Sequence, residues 1–396
     1  MSAILKDDGS RLAVPKRFVD AEDALRATAI EMSGCSDFGD TRYLTGLRVL
    51  LQALDSDCRL TPEGRDFAFF ELVLTLNARL ATQRGWTENP ELLKTAIHAP
   101  LVITGLPRSC TTVLHRLLAV DPQFQGLESW LTNAPMPRPP REEWERLAAF
   151  RRTGQRLQRW FDTVPQFRMV HDMAVDDMEE CIEVLRQDFV SNRFGCNFPV
   201  PSYDRWWMAE DDTASFRRYA DVLRLIGGRE PDRRWLLKNP GDIYAIDALL
   251  AVFPDARIIY THRDPLKSMP SVASLIHMAH QMAEGPAASK NTGPREVEVW
   301  SRGTQPMLAA RARHPDQFHD VTHGDYVRDP LAVVRGIYDR FGLVLIPEVE
   351  RAMQAWVAAN PPGKHGEHRY TLEEYGLTEA SVRDCFRDYY DAYGPF

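Results

Sequence analysis

The chain has 396 residues, with 48 Lys and Arg against 56 Asp and Glu; its net charge of −8 excludes a general nucleic-acid binder but leaves room for a local basic pocket. Hydrophobic residues at 44% and charged residues at 26% exclude wholesale disorder and allow one large domain or two modest ones. Six scattered cysteines (Cys35, Cys58, Cys110, Cys181, Cys196, Cys385) form no Cys-x-x-Cys pair, and no apolar run suits a secretory leader or a bilayer span. The expectation is a soluble, reduced, cytoplasmic protein without a disulfide framework or zinc site.

Residues 1–98 read as a helical lead-in packed on a main domain of residues 99–396. Thr61 to Gly85 opens with Thr-Pro-Glu and closes on glycine, and Phe69, Phe70, Leu72, Val73, Leu74, Leu76 and Leu80 give it a broad apolar face. At Leu101 the pattern changes to a short buried strand, Leu101-Val-Ile-Thr. A turn over Gly105–Thr112 follows, then a helix from Val113 that ends at Asp121-Pro122. Leu127 to Glu230 reads as a mostly helical insertion with a stiff Pro135–Pro140 connector. Further strands are expected at Trp235–Lys238 and Arg257–His262, each followed by a helix (Asp242–Phe253, then from Pro265). A short strand after Phe318, a helix near Asp329-Pro330 and a last helix ending near Tyr390 complete the chain. Strands alternating with helical lengths imply βαβ units and a parallel sheet.

The strand-to-helix turn Gly105-Leu-Pro-Arg-Ser-Cys-Thr-Thr112 aims successive main-chain N–H groups at one point, where the helix N-terminus favours an anion. Arg108 adds a planar cation, and Thr111 and Thr112 add hydroxyls. The nucleotide-triphosphatase pattern G-x-x-x-x-G-K-[ST] laid on this stretch puts Cys110 at the second glycine and Thr111 at the lysine, which disfavours ATP hydrolysis but not a phosphorylated donor. The plainer alternative is a capped turn with Arg108 in a surface ion pair.

Leu106-Pro-Arg-Ser-Cys-Thr-Thr resembles the phosphosulfate loop of sulfotransferases. Trp235-Leu-Leu-Lys-Asn-Pro, then Arg257-Ile-Ile-Tyr-Thr-His-Arg-Asp-Pro and Ser271, resemble that superfamily's second donor motif. The resemblance runs from about Leu101 onward and is nearest the bacterial-type branch. It implies a P-loop-like three-layer α/β/α fold with a central parallel sheet, carrying here an N-terminal helical segment and the helical insertion. It also implies 3′-phosphoadenosine 5′-phosphosulfate (PAPS) as donor, with no metal. Pro107, Arg108, Ser109, Cys110, Thr111 and Thr112 would hold the 5′-phosphosulfate, and Arg263 with Ser271 the 3′-phosphate. Lys238 would steady the bridging oxygen; otherwise it is a lysine exposed at a strand end.

Many relatives carry a histidine where this chain has Asp242, so the general base is open. Asp242 reads best as the N-cap of a helix beginning at Ile243. Glu128 lies where the protein-tyrosine branch carries its glutamate, against the alternative of a solvated carboxylate. Glu180 ranks next, with His171 nearby, and His115 reads as a packed histidine. Cys110 replaces the usual glycine and costs about 1–2 kcal/mol if φ is positive there. Phe194, Phe198, Tyr203, Trp206 and Trp207 form a cluster that is core or lines an apolar acceptor pocket. The resulting expectation is sulfuryl transfer to a hydroxyl on a hydrophobic small-molecule or lipid-like acceptor, with no nucleic-acid partner and a homo-oligomer left open. The alternatives are a P-loop kinase and a non-catalytic nucleotide-binding homologue. A metal site at His365-Gly-Glu-His368 lacks further ligands.

Overall fold

A computed structural model describes residues 14–163, 173–361 and 370–396. Five parallel strands form one sheet: β1 Leu101–Gly105, β2 Phe124–Gln125, β3 Arg234–Lys238, β4 Arg257–His262 and β5 Phe318–Thr322, in the order β2-β3-β1-β4-β5. Leu101 pairs with Leu236 on one side and with Arg257 on the other. All five residues of β1 are buried, which explains its unbroken apolar run: a parallel strand covered on both faces shows no alternation. Parallel neighbours need crossovers, and the first is helix Thr111–Leu118, which packs along β1 and β3.

The chain divides into two compact units. One comprises Met1–Ala96, Leu127–Glu230 and Ile276–Ser289; the other comprises Ile97–Gly126, Pro231–Leu275 and Lys290–Phe396 and contains the sheet. The segments read as lead-in and insertion thus group with each other. In that helical unit, Thr61 caps the helix Pro62–Glu88, its hydroxyl accepting from the Gly64 N–H at 3.0 Å. Gly64 is needed for close approach, since a Cβ there would lie 1.7 Å from the Ala283 carbonyl oxygen. Phe69, Leu72, Val73, Leu76 and Leu80 are buried as expected; Phe70 and Leu74 are half-buried. Arg79 is fully buried on the same helix and donates to Phe38 O (2.7 Å), Asp40 O (3.0 Å) and the Asp188 carboxylate. Lead-in and insertion are therefore stitched by a charge that would be costly to strand.

One reading changes, and two elements had no counterpart in the sequence expectations. The helix expected from Asp242 begins only at Ile246, because Pro240–Ile243 tightens into a 3-10 turn. β2, two residues long, has too little pattern to be seen in sequence. Helix Gly293–Arg313 was not anticipated: Pro294 opens it and Pro306 lies inside it, and both read as breakers. No described helix is long and apolar enough to cross a membrane, and all six cysteines are free.

Candidate functional site

The turn after β1 is built by three residues at positive φ. Gly105 has φ +143°, and a Cβ there would sit 2.3 Å from the Thr261 carbonyl oxygen on the adjacent β4, so only glycine fits. Arg108 (φ 65°) and Cys110 (φ 73°, ψ 9°) are both left-handed. Cys110 therefore occupies a position that demands positive φ rather than merely a small side chain, at a cost of about 1–2 kcal/mol. Burial pushes its thiol up to about 12, so the sulfur stays protonated. Cys110 immediately precedes helix Thr111–Leu118 and makes no side-chain cap bond. Ser109 turns inward: its hydroxyl donates to Leu106 O and lies 2.7 Å from Thr261 Oγ1. Ser109 can thus serve a ligand through its main chain only. Pro107 is buried, Thr111 is buried and Thr112 is half-buried.

The second motif comes to the first. Arg263, one residue past β4, donates from Nη1 to the Arg108 carbonyl at 2.7 Å, and Arg108 Nε donates to Ser271 Oγ at 3.3 Å. Ser271 lies two turns into the helix Pro265–Glu284. Residues 155 and 163 positions from Arg108 in sequence so meet it at the carboxyl ends of β1 and β4, where open parallel sheets bind ligands. Both arginines bring positive charge to this junction, which favours anionic ligands.

Two residues past β5 feel the charge of the turn and had no expectation from the sequence, His323 directly after the strand and Tyr326 in helix His323–Arg328. His323 is held down to about pKa 4, by burial first and then by the charge of Arg263, and is neutral near pH 7. Tyr326 is pushed up by burial, with Cys110 as its electrostatic neighbour. The signal was available: both follow a parallel strand at its carboxyl end.

Lys238 ends β3 and is 2% exposed, so it is not a lysine merely exposed at a strand end. His115 is fully buried, and burial, then Lys238, hold it down to about 3; its Nε2 lies 3.5 Å from Leu236 O. It is a packed, neutral histidine, as expected. The capping role read for Asp242 is corrected. Asn239 caps the Pro240–Ile243 turn through Gly241 N (3.2 Å), and the helix at Ile246 has no side-chain cap. Asp242 lies buried inside the turn, accepting from Asn239 Nδ2 at 2.7 Å.

In the helical unit, Glu128 immediately precedes helix Ser129–Asn133, and the solvated alternative is overturned. It is 9% exposed, with Oε1 3.0 Å from Arg138 Nε and Oε2 accepting from Arg138 Nη2 at 3.1 Å. Arg138 also reaches Glu230 at 2.9 Å. Glu128 bridges Met178 in a single antiparallel pairing, which brings the half-buried Glu180 into the neighbouring segment; the Glu180 N–H donates to Glu179 Oε1 at 2.8 Å. The aromatic cluster is core. Phe194 stacks on Phe189 with centroids 5.3 Å apart, Tyr203 packs edge-on against Phe194, and its hydroxyl donates to Phe189 O at 2.7 Å. Phe198 and Trp207 are buried and only Trp206 is half-buried, so the rings pack on one another rather than line an acceptor pocket. No group of three or more His, Cys, Asp or Glu among the described residues could hold a metal ion; His171, His365 and His368 lie outside those residues.

An oxyanion cradle on a parallel α/β sheet defines a protein that handles donors bearing phosphate or sulfate. The sulfotransferase family model matches residues 100–347, and the chain belongs to that family and is a sulfotransferase. It is similar to sulfotransferase STF1 of Mycobacterium tuberculosis H37Rv, whose crystal structure superposes with TM-score 0.84 at 37% identity, covering 96% of this chain and 100% of that one. Sulfotransferase STF9 of Mycobacterium avium superposes with TM-score 0.87 at 27% identity, covering 95% and 97%. The omega-hydroxy-beta-dihydromenaquinone-9 sulfotransferase Stf3 of Mycobacterium bovis is 24% identical over 316 residues, 75% of this chain and 76% of that protein.

Proposed function

We propose that this sulfotransferase takes its sulfuryl group from PAPS and passes it to the hydroxyl of a hydrophobic small-molecule or lipid-like acceptor. The observation that carries the donor assignment is the meeting of Arg108, Arg263 and Ser271. The fit is chemical as well as geometric. The turn offers main-chain donors and Arg108 to a 5′-phosphosulfate, while Arg263 and the Ser271 hydroxyl suit a second, separate phosphate. A kinase is not favoured, since Thr111 stands where the P-loop lysine would reach the terminal phosphates.

Sulfuryl transfer, like phosphoryl transfer, runs through a loose transition state, so positioning and charge stabilisation carry most of the rate. Arg108 and the turn amides hold the donor's oxyanions. Lys238, buried at the end of β3, faces charge developing on the leaving oxygen. Because a sulfuryl group bears less charge than a γ-phosphate, these cations suffice without a divalent ion. Glu128 is the proposed general base: its carboxylate is held by the Arg138 guanidinium, so its orientation is set before the acceptor arrives. The acceptor class is supported by Stf3, whose name specifies a hydroxylated menaquinone derivative.

The test is transfer from sulfur-labelled PAPS, in a metal chelator, to a panel of apolar alcohols, phenols and sugars. Transfer to the apolar alcohols or phenols is expected. Transfer to sugars alone would overturn the acceptor class, and label accepted only from a donor lacking the 3′-phosphate would overturn PAPS.

A further inference from the structure

Just past the cradle, the turn at the end of β4 is tied down by buried polar groups that the reaction does not require. His262 is 1% exposed and sits in a shell of tyrosine rings, with centroids 4.2 Å from Tyr260 and 4.0 Å from Tyr393. Burial holds its pKa below the ordinary value, so the ring is neutral, with one nitrogen that donates and one that accepts. Nε2 lies 3.0 Å from Asp320 Oδ1. Arg311 Nε donates to both oxygens of Asp320, at 3.1 and 2.9 Å. Burial alone would raise Asp320, but the hydrogen bonds from His262 and Arg311 outweigh it, and the group is a carboxylate.

A carboxylate only accepts. The His262 proton therefore sits on Nε2, and Nδ1 accepts from the Tyr389 hydroxyl 3.1 Å away. With its hydrogen committed to His262, the Tyr389 hydroxyl holds the residue immediately before Arg263. The next residue completes the arrangement. Tyr390 donates to Asp264 Oδ1 at 2.7 Å, and that same oxygen accepts the Leu266 N–H at 3.0 Å. The Asp264 carbonyl accepts from Lys267 and Ser268, the first turn of the helix that carries Ser271.

We propose that Tyr389 and Tyr390 are positioning residues for donor recognition: helix Arg387–Tyr393 clasps the turn 262–264 and sets Arg263 and Ser271 for the donor's 3′-phosphate, with the His262–Asp320–Arg311 chain fixing the direction of the clasp's hydrogen bonds. The proposal rests on the PAPS reading above. Each tyrosine acts on a residue that flanks Arg263 in sequence, Tyr389 through the His262 ring and Tyr390 through the Asp264 carboxylate.

The experiment is calorimetric titration of the whole chain with adenosine 3′,5′-bisphosphate and with adenosine 5′-monophosphate. The proteins are wild type, Tyr389→Phe, Tyr390→Phe, Arg263→Ala and the Arg263→Ala/Tyr389→Phe double variant. Wild type should prefer the bisphosphate. Tyr389→Phe should cut that preference about tenfold, and Tyr390→Phe about threefold, by lowering bisphosphate affinity while leaving the monophosphate unchanged. On the Arg263→Ala background, Tyr389→Phe should change nothing further, because the side chain it positions is gone. If Tyr389→Phe does not fold, the half-buried Tyr390 carries the test. Undiminished preference in both folded variants, or equal losses with and without Arg263, would overturn the clasp. Wild type with no preference would overturn the PAPS reading instead.

Discussion

The donor cradle and the Glu128 locus manage charge in opposite ways. Around the turn, the exposed Arg108 and the half-buried Arg263 reach neutral oxygens, a serine hydroxyl and a carbonyl. At Glu128 the carboxylate meets the guanidinium of Arg138, which is shared with Glu230. Cations that face neutral oxygens retain most of their field for an arriving anion. A carboxylate already bonded to a guanidinium has less to offer a ligand but is held in one direction, which suits a base that must meet a hydroxyl proton at a defined angle. The first region sets guanidinium groups beside neutral oxygens; the second fixes the direction of a carboxylate.

That contrast can be broken at either end. The largest effect is expected from Glu128→Gln, which keeps the shape but not the proton acceptor: kcat should fall about 10³-fold. Glu180→Gln should leave it nearly intact, and the reverse order in a steady-state assay would move the base to Glu180. Lys238→Met should lower kcat about 10²-fold with little change in donor KM, since its charge matters as the leaving oxygen becomes anionic. An effect on KM alone would make Lys238 a binding residue. Arg263→Ala should weaken adenosine 3′,5′-bisphosphate about 10- to 100-fold and leave kcat at saturating donor nearly unchanged.

Two smaller effects sharpen the picture of the turn. His115 titrates at about 3 when folded and near 6.5 when unfolded. As pH falls the unfolded chain takes the proton first, so stability is full above pH 6.5 and drops by about 1.4 kcal/mol per unit toward pH 3. His323, also held down to about 4, acts with the same sign. Urea melts between pH 7 and pH 5 should show this slope, and His115→Gln should reduce it by about one proton. Cys110→Gly should raise stability by up to about 1 kcal/mol by relieving the left-handed strain. A loss on urea melting would show that the thiol's packing outweighs the strain.

Legibility in the sequence followed the range of the interactions. The turn could be read because strand, glycine and helix start lie within a dozen residues and each obeys local rules. Arg263 and Ser271 could be read because one strand end and the following helix fix their spacing. The role of Asp242 could not, since it depends on whether Pro240-Gly241 closes a 3-10 turn and hands the cap to Asn239. Nor could the environment of Glu128: one partner lies ten residues on, across a proline-rich stretch, and the arginine's second carboxylate lies 92 residues beyond that. The aromatic cluster looked the same as core or as pocket until Phe189 was seen stacked on Phe194. Tyr389 gave no signal, because its partners come from β4.

The proposed donor would be gripped at two separated phosphates. A crystal structure with adenosine 3′,5′-bisphosphate bound tests it most directly. The 5′-phosphate is expected on the main-chain N–H groups of Arg108–Thr112 and the 3′-phosphate within hydrogen-bond reach of Arg263 and Ser271. A nucleotide bound elsewhere, or seated with its ribose phosphate away from Arg263, would contradict it.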